Sequence, residues 1–360
     1  WQATGHNPWT SIMGGDGMQV QIDNRNSNII YTGYQFGNYF RLSLETKKRT
    51  YIQPKHELGE APYRFNWQTP ILLSSHNQDI LYLGGNKLHR SLNQGDDWTT
   101  ISNDLTQGGK KGNVAFGTLT TIAESPAQFG FLYAGSDDGY IHRSENGGGS
   151  WDRISDDLPQ DLWVSRVIAS EHQKERVYVT LNGYRNDDFA AYVYVSEDRG
   201  ISWKSINKNL PNSPVNVIRE DPNNDQILYL GNDQGVYVSF DQGQKWQPFN
   251  KGLATAAVHD LVVQPEANHL LVGTHGRSIY KADLAPFQKL NNAFLKQELA
   301  LLDPEKVKHS KRWGSSYSSW RKVFEPEITF TAFAKTSGAY EMQIKDVKGT
   351  RSAFADRVLG

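Results

Sequence analysis

Ser239-Phe-Asp-Gln-Gly-Gln-Lys-Trp246 reads S-x-D-x-G-x-x-W, and the chain repeats it. Ser196-Glu-Asp-Arg-Gly-Ile-Ser-Trp203 matches it at every fixed place. Ser144-Glu-Asn-Gly-Gly-Gly-Ser-Trp151 and Ser91-Leu-Asn-Gln-Gly-Asp-Asp-Trp98 carry Asn for Asp. The tryptophans fall at 98, 151, 203 and 246, which is 53, 52 and 43 residues apart. Self-similarity at such a period is the mark of a repeat architecture. Each fixed residue suits a turn. Asn93, Asn146, Asp198 and Asp241 are expected to hydrogen-bond backbone two residues on. Gly95, Gly148, Gly200 and Gly243 supply a positive φ without steric cost. Trp98, Trp151, Trp203 and Trp246 are apolar slabs with one N–H to satisfy, suited to wedging between sheets. Ser91, Ser144, Ser196 and Ser239 open the four turns.

Working outward, the unit is clearest over residues 215–252. Val215-Asn-Val-Ile218, Ile227-Leu-Tyr-Leu230, Val236-Tyr-Val-Ser239 and Trp246-Gln-Pro-Phe249 read as strands A to D, with Asp221–Asp225 and Gly231–Gly235 as turns. The same order recurs at 66–105, 117–158 and 163–210. Residues 16–54 have strands without a box, and 258–284 have only A, B and C. Units of about 40 residues cannot cover their own sheets and must stack. Four-stranded blades around a channel satisfy that need. The expected fold is all-β: a β-propeller over 1–290, a helix and linker over 291–322, and the start of a β-sandwich over 323–360. The helix is expected from Asn291 to Lys308. Ile328–Phe333 and Tyr340–Lys345 alternate at period two and predict a hairpin.

The box resembles the Asp-box (BNR) repeat of sialidases, sortilin-type receptors and two-propeller xyloglucanases. Gly14-Gly-Asp-Gly17, Tyr63-Arg-Phe-Asn-Trp-Gln-Thr-Pro70, Gly183-Tyr-Arg-Asn-Asp-Asp188 and Gly273-Thr-His-Gly-Arg-Ser278 extend the likeness. They resemble long exported bacterial proteins labelled BNR-repeat or glycosyl-hydrolase-like. The resemblance implies boxes at the blade periphery, away from ligand, and a propeller longer at its N-terminal side. Trp9-Thr-Ser-Ile12 looks like a D strand following a box. It either closes a six-bladed ring or ends an upstream part of the protein; the resemblance favours the second.

Composition narrows the function. Net charge is −1, with 38 basic and 39 acidic residues, so no electrostatic nucleic-acid binder is expected. Cysteine is absent, which excludes disulfides and Cys metal sites. No apolar run is long enough to span a membrane. No metal or cofactor motif is present; the adjacent pair Asp187-Asp188 is too little for a calcium loop.

In a meandering blade, B–C and D–A connections share one face, opposite the boxes. That face collects Asp16, Arg64, Trp67, Asp138, Trp163, Arg185, Asp233, His275 and Arg277 as candidate ligand-binding residues. Around them stand Tyr34, Phe36, Lys110, Phe116, Tyr184, Asp187, His259 and Asp260. Aromatics beside carboxylates and arginines suit a glycan or protein partner. Several of the Asp residues also sit where turns favour Asp anyway. The expected function is an exported or cell-surface binding scaffold, with the periplasm as a further location. The alternative is a glycoside hydrolase resembling the two-propeller xyloglucanases, with Asp16 as its catalytic carboxylate.

Overall fold

The computed structural model describes residues 10–355 except 113, 291, 303–309, 317, 325–329, 337 and 346–350. The chain divides into two compact units, Trp1–Ala282 and Asp283–Gly360. The first is a β-propeller of six antiparallel sheets, each a meander of consecutive strands.

Sheet one holds β1 (Gln21–Ile22), β2 (Ile29–Tyr34), β3 (Asn38–Ser43) and β4 (Arg49–Tyr51). Sheet two holds β5 (Ile71–Leu73), β6 (Leu81–Gly84), β7 (Leu88–Ser91) and β8 (Thr99–Thr100). Sheet three holds β9 (Leu119–Glu124), β10 (Leu132–Ser136), β11 (Ile141–Ser144) and β12 (Asp152–Arg153). Sheet four holds β13 (Trp163–Ala169), β14 (Val177–Asn182), β15 (Tyr192–Ser196) and β16 (Lys204–Ser205). Sheet five holds β17 (Val215–Asp221), β18 (Asn224–Asn232), β19 (Gly235–Ser239) and β20 (Gln247–Pro248). Sheet six has three strands, β21 (Val258–Gln264), β22 (His269–Thr274) and β23 (Ile279–Asp283). Residues 10–12 form no strand, and Trp9 lies outside the described residues.

The core lies between sheets. Tyr31, Tyr39, Ile52, Ile71 and Leu81 fill the first seam. Tyr178, Val193, Ile218, Leu230 and Trp246 fill the fourth. A buried tyrosine stands at one place in five second strands: Tyr31, Tyr82, Tyr133, Tyr178 and Tyr229. The seams lock it differently, and in sheet five Tyr229 donates to Asp221 of its own sheet at 2.8 Å. Tyr82 donates to Glu124 at 3.0 Å, and Ser74 Oγ donates to the same carboxylate at 2.5 Å. Two sheets on, Tyr178 donates to Glu220 at 3.1 Å and Ser170 Oγ does so at 2.7 Å. The hydroxyls of Tyr31 and Tyr133 are buried with no partner among the described residues. Sheet six has one buried face and one open face. Leu261 and Val272 are buried, while the opposed pair Val262 and Leu271 is exposed.

The four boxes share one geometry, and it differs from a two-residue Asx turn. The serine is the hub. Ser196 Oγ accepts from Gly200 N at 2.7 Å and donates to Asp198 Oδ1 at 2.7 Å. Asp198 Oδ1 then accepts from the N–H four residues on, Ser202, at 2.8 Å. The other boxes repeat these bonds, with Asn93 and Asn146 accepting through their amide oxygens. The positive φ expected at the glycine is present, +90° at Gly200, and its predecessor Arg199 shares it at +65°.

Each box docks on the sheet before it. Trp151, Trp203 and Trp246 donate Nε1–H to the carbonyls of Ile101, Ile154 and Ile206 at 2.8, 2.8 and 2.6 Å. A Cβ on Gly200 would stand 2.5 Å from Ile154 Cδ1, and one on Gly243 2.7 Å from Ile206 Cδ1. So the glycine is required twice, for its φ and for the isoleucine under it. Trp98 is the exception, its buried Nε1–H meeting no acceptor among the described residues. In sheet one, which has no box, Arg49 Nη2 reaches the carbonyl of Ile12 at 3.3 Å.

Hydrogen bonds from Ser202 and Ser196 hold the Asp198 carboxyl at a pKa of about 2, below its ordinary value. Its folded value is the lower one. Its contribution is therefore complete above about pH 4 and lost as pH falls toward 2. Asp198→Ala is expected to cost about 1–2 kcal/mol at pH 7 through the lost turn bonds. Asp198→Asn copies the sister boxes; it is expected to keep neutral-pH stability and to flatten the acid limb. Urea melts from pH 2 to 7 check both.

The second unit departs from the sequence reading. In place of one helix from Asn291 to Lys308, α1 (Ala285–Gln288) and α2 (Asn292–Leu295) are one turn each. β24 (Leu299–Leu301) follows, with Ala300 buried between exposed leucines, a period of two rather than 3.6. The hairpin partners also differ. β25 (Ala332–Ala334) pairs with β24, and β26 (Met342–Lys345) pairs with β27 (Arg351–Ala355). Alternation identifies a strand but not its neighbour. Residues 291 and 303–308 of the expected helix, and Ile328 and Thr329 of the hairpin, lie outside the described residues.

Candidate ligand-binding face

The first strand of each sheet lines the axis, and its lead-in opens the face away from the boxes. There a cavity of about 160 Å³ draws on all six sheets. Gln19 leads into sheet one and Gln68 into sheet two, and Thr120 comes from sheet three. Sheet four supplies Trp163, Ser165, Arg166, Asn182 and Arg185; Asn216 and His259 complete the wall from sheets five and six. A second axial chamber of about 320 Å³ shares Gln19 and Arg166 with the first and includes Arg219, Glu171 and Glu220.

Of the nine expected residues, Trp163 and Arg185 line this mouth, and Asp233, His275 and Trp67 stand beside lining residues. The Arg185 guanidinium stacks 4.0 Å above the Trp163 ring. Asp233 Oδ1 accepts from Asn216, whose amide oxygen accepts from Asn182, at 2.9 and 2.8 Å. The His275 ring lies 5.1 Å from that of His259. Burial first, and the His275 charge second, hold His259 below the ordinary histidine pKa. Trp67 precedes Gln68 at the rim; it is exposed and meets Phe36 edge to face at 5.2 Å.

The other four do not form the mouth. Arg64 is a stitch between sheets. Its guanidinium reaches Asp104 at 2.7 Å, Thr106 at 3.1 Å and the Gly117 carbonyl at 3.1 Å. Asp138 is buried, accepting from Ser136 Oγ at 2.5 Å and Gln107 N at 2.7 Å. Arg64 thus ties separate loops together, while Asp138 closes its own turn, as Asp commonly does. Asp16 and Arg277 are exposed and line neither axial chamber.

The sequence reading missed the arginines of the channel wall. Arg166 and Arg219 both bond Asp260 Oδ1, at 2.9 and 3.1 Å. Burial pushes the Asp260 carboxyl up, but the two guanidiniums outweigh it and hold it below the usual range. Burial, then the neighbouring Arg166, lowers Arg219 to about 10. Arginine within the first strands Trp163–Ala169 and Val215–Asp221, between apolar neighbours, was the available signal. Among the described residues no cluster of His, Asp and Glu could hold a metal ion. Among the described residues no helix is long and apolar enough to cross a membrane.

The family model described as sortilin, neurotensin receptor 3, matches residues 191–291. A comparison with the sequences of curated proteins finds no match. Among solved structures, the GH74 xyloglucanase from Xanthomonas campestris is similar at 15% identity and a TM-score of 0.50, over 76% of this chain and 52% of that one. An ancestral GH74 enzyme is similar at 18% identity and a TM-score of 0.58, over 75% of this chain and 36% of that one. The extracellular domain of a hybrid two-component system from B. thetaiotaomicron gives 12% identity and 0.53, over 74% of this chain and 33% of that one. At these identities the likeness is one of fold. The matched parts are about half of those chains or less.

Proposed function

We propose that this Asp-box β-propeller is a binding module, exported or held at a cell surface, which takes a protein or glycan ligand at its axial mouth. The observation that carries the reading is the mouth itself: one polar cavity walled by residues from all six sheets. Convergent polar groups around a stacked aromatic are how small recognition sites orient a ligand. The likeness to an extracellular propeller domain supports the location.

A hydrolase reading has less support. Glycosidases need two carboxyl groups flanking one bond. The described residues lining the mouth include no Asp or Glu; the one expected carboxylate beside it, Asp233, is bonded to Asn216, and Asp16 stands apart.

The test is binding to arrayed glycans and arrayed peptides by the wild-type chain and by Trp163→Ala. The variant removes the ring under Arg185 at a partly exposed position. Its affinity is expected to fall by about 1–3 kcal/mol, as for a central aromatic anchor, with an unchanged melting temperature. Equal binding by both proteins overturns the reading, as does no binding by either.

A further inference from the structure

Two pairs of exposed aromatic rings stand on either side of this mouth. One is Phe36 with Trp67, which are 43% and 49% exposed. The other is Tyr184 with Phe189, 59% and 49% exposed, with ring centroids 6.2 Å apart. Each pair is joined by sequence to the cavity wall, through Gln68 beside Trp67 and Arg185 beside Tyr184. The first pair lies at sheets one and two, the second at sheet four.

Neither pair belongs to the buried core of the ring. Phe36 has φ +59°, a left-handed conformation that a bulky residue adopts only under strain. The next residue, Gly37, is left-handed too, at +72°. The strained loop is fastened at both ends: Phe36 N donates to the Trp67 carbonyl at 3.3 Å, and Gln53 Nε2 donates to the Phe36 carbonyl at 2.8 Å. Trp67 is mounted beside Asn66, a buried side chain bonded to Thr118 at 2.8 Å. The opposite loop is fastened by Asp188, which accepts from Ala190 N at 3.0 Å and Tyr192 OH at 2.7 Å. Asn186 Nδ2 adds a bond to the Asp161 carbonyl at 3.0 Å. Rings held out in water by a rigid backbone are pre-organised for a flat partner.

The mouth between them tells which flat partner. Its cations are engaged, Arg185 on Trp163 and Arg166 on Asp260. The rest of the wall is largely amide and hydroxyl: Gln19, Gln68, Thr120, Ser165, Asn182 and Asn216. Such a wall matches ring hydroxyls better than an acidic or basic chain. The pairs belong to sheets far apart in the ring, so a single sugar cannot touch both. We infer that the face binds a neutral polysaccharide, laid across the axis with one pyranose ring on each aromatic pair. This rests on the binding reading above and narrows its ligand.

Affinity electrophoresis through gels holding hydroxyethylcellulose, galactomannan or polygalacturonate tests it, with decaproline as a soluble competitor. At least one neutral polymer is expected to retard the wild-type chain, and polygalacturonate is not. Phe36→Gly and Tyr184→Ala are each expected to weaken retention at least fivefold, and together to abolish it. Phe36→Gly relieves the backbone, so its melting temperature is expected to hold or rise, separating lost binding from lost fold. Cellobiose, too short to span the pairs, is expected to compete at least tenfold less well than the free polymer. No retardation by a neutral polymer overturns the inference, as does retention unchanged in both variants, equal retention by polygalacturonate, or displacement by decaproline. If arrayed peptides bind and Trp163→Ala releases them while no polymer retards, the binding reading stands and this one falls. If nothing binds on either array, both fall.

Discussion

Trp246→Ala is expected to lower the unfolding free energy by about 3–5 kcal/mol, the cost of emptying a buried aromatic site. Trp246 is 2% exposed and sits in the seam between sheets four and five with Ile206, Ile218 and Leu230. Its loss removes the largest side chain of that seam. It also leaves the Ile206 carbonyl without the indole N–H that reached it at 2.6 Å. Trp246→Phe keeps most of the volume and drops the bond, so about 1–2 kcal/mol is expected there. Trp98→Phe provides the contrast, since the Trp98 N–H has no acceptor to lose. Guanidinium melts of the three variants at pH 7 check the order. Equal losses for the two phenylalanine variants would show that the backward hydrogen bond contributes nothing.

The second large effect is expected at Glu220. This carboxylate is 5% exposed and accepts from Ser170 Oγ, Tyr178 OH and Glu171 N at 2.7, 3.1 and 2.7 Å. Arg176 Nη1 stands 3.8 Å away. Glu220→Ala would strand all of these at once and is expected to cost about 3–5 kcal/mol, as when one partner of a buried charge is removed. Tyr178→Phe takes away a single donor, and about 1 kcal/mol is expected. Tyr133→Phe is expected to be neutral or stabilising, because that buried hydroxyl is already unpaired. The same melts decide it; a Tyr133→Phe loss as large as that of Tyr178→Phe would mean the two seams are alike.

Much of this was legible because one repeat carried it. Ser, Asp or Asn, Gly and Trp at fixed places identify the box, and its period identifies the propeller. The strand limits were less visible. The turn expected at Asp221–Asp225 shrinks to Pro222–Asn223, since β17 runs to Asp221 and β18 starts at Asn224. Turn-forming residues there continue the ladder because the neighbouring sheets cover it. The face of the candidate site followed from topology, and Trp163, Arg185, Asp233 and His275 came together on it. Arg64 and Asp138 could not be sorted from them in advance. A charged loop residue that binds a ligand and one that ties two loops look the same until the second loop is located. The channel arginines were hidden for the opposite reason. Their strands read as sheet interior, and only the closed ring brings Arg166 and Arg219 of two sheets onto the Asp260 of a third.

The box tryptophans also give the propeller a direction. Every indole N–H that finds an acceptor finds it in the sheet made before its own: Ile101 from Trp151, Ile154 from Trp203, Ile206 from Trp246. A chain leaving the ribosome therefore meets each of these indole acceptors already in place, whereas the buried Tyr82 and Tyr178 hydroxyls wait for Glu124 and Glu220 of the following sheet. The two ends are unequal to trimming. Shortening from the C-terminal side removes donors and leaves carbonyls that water can reach. Shortening from the N-terminal side removes acceptors and also uncovers the apolar indole that the lost sheet had buried, as Trp246 is by sheet four.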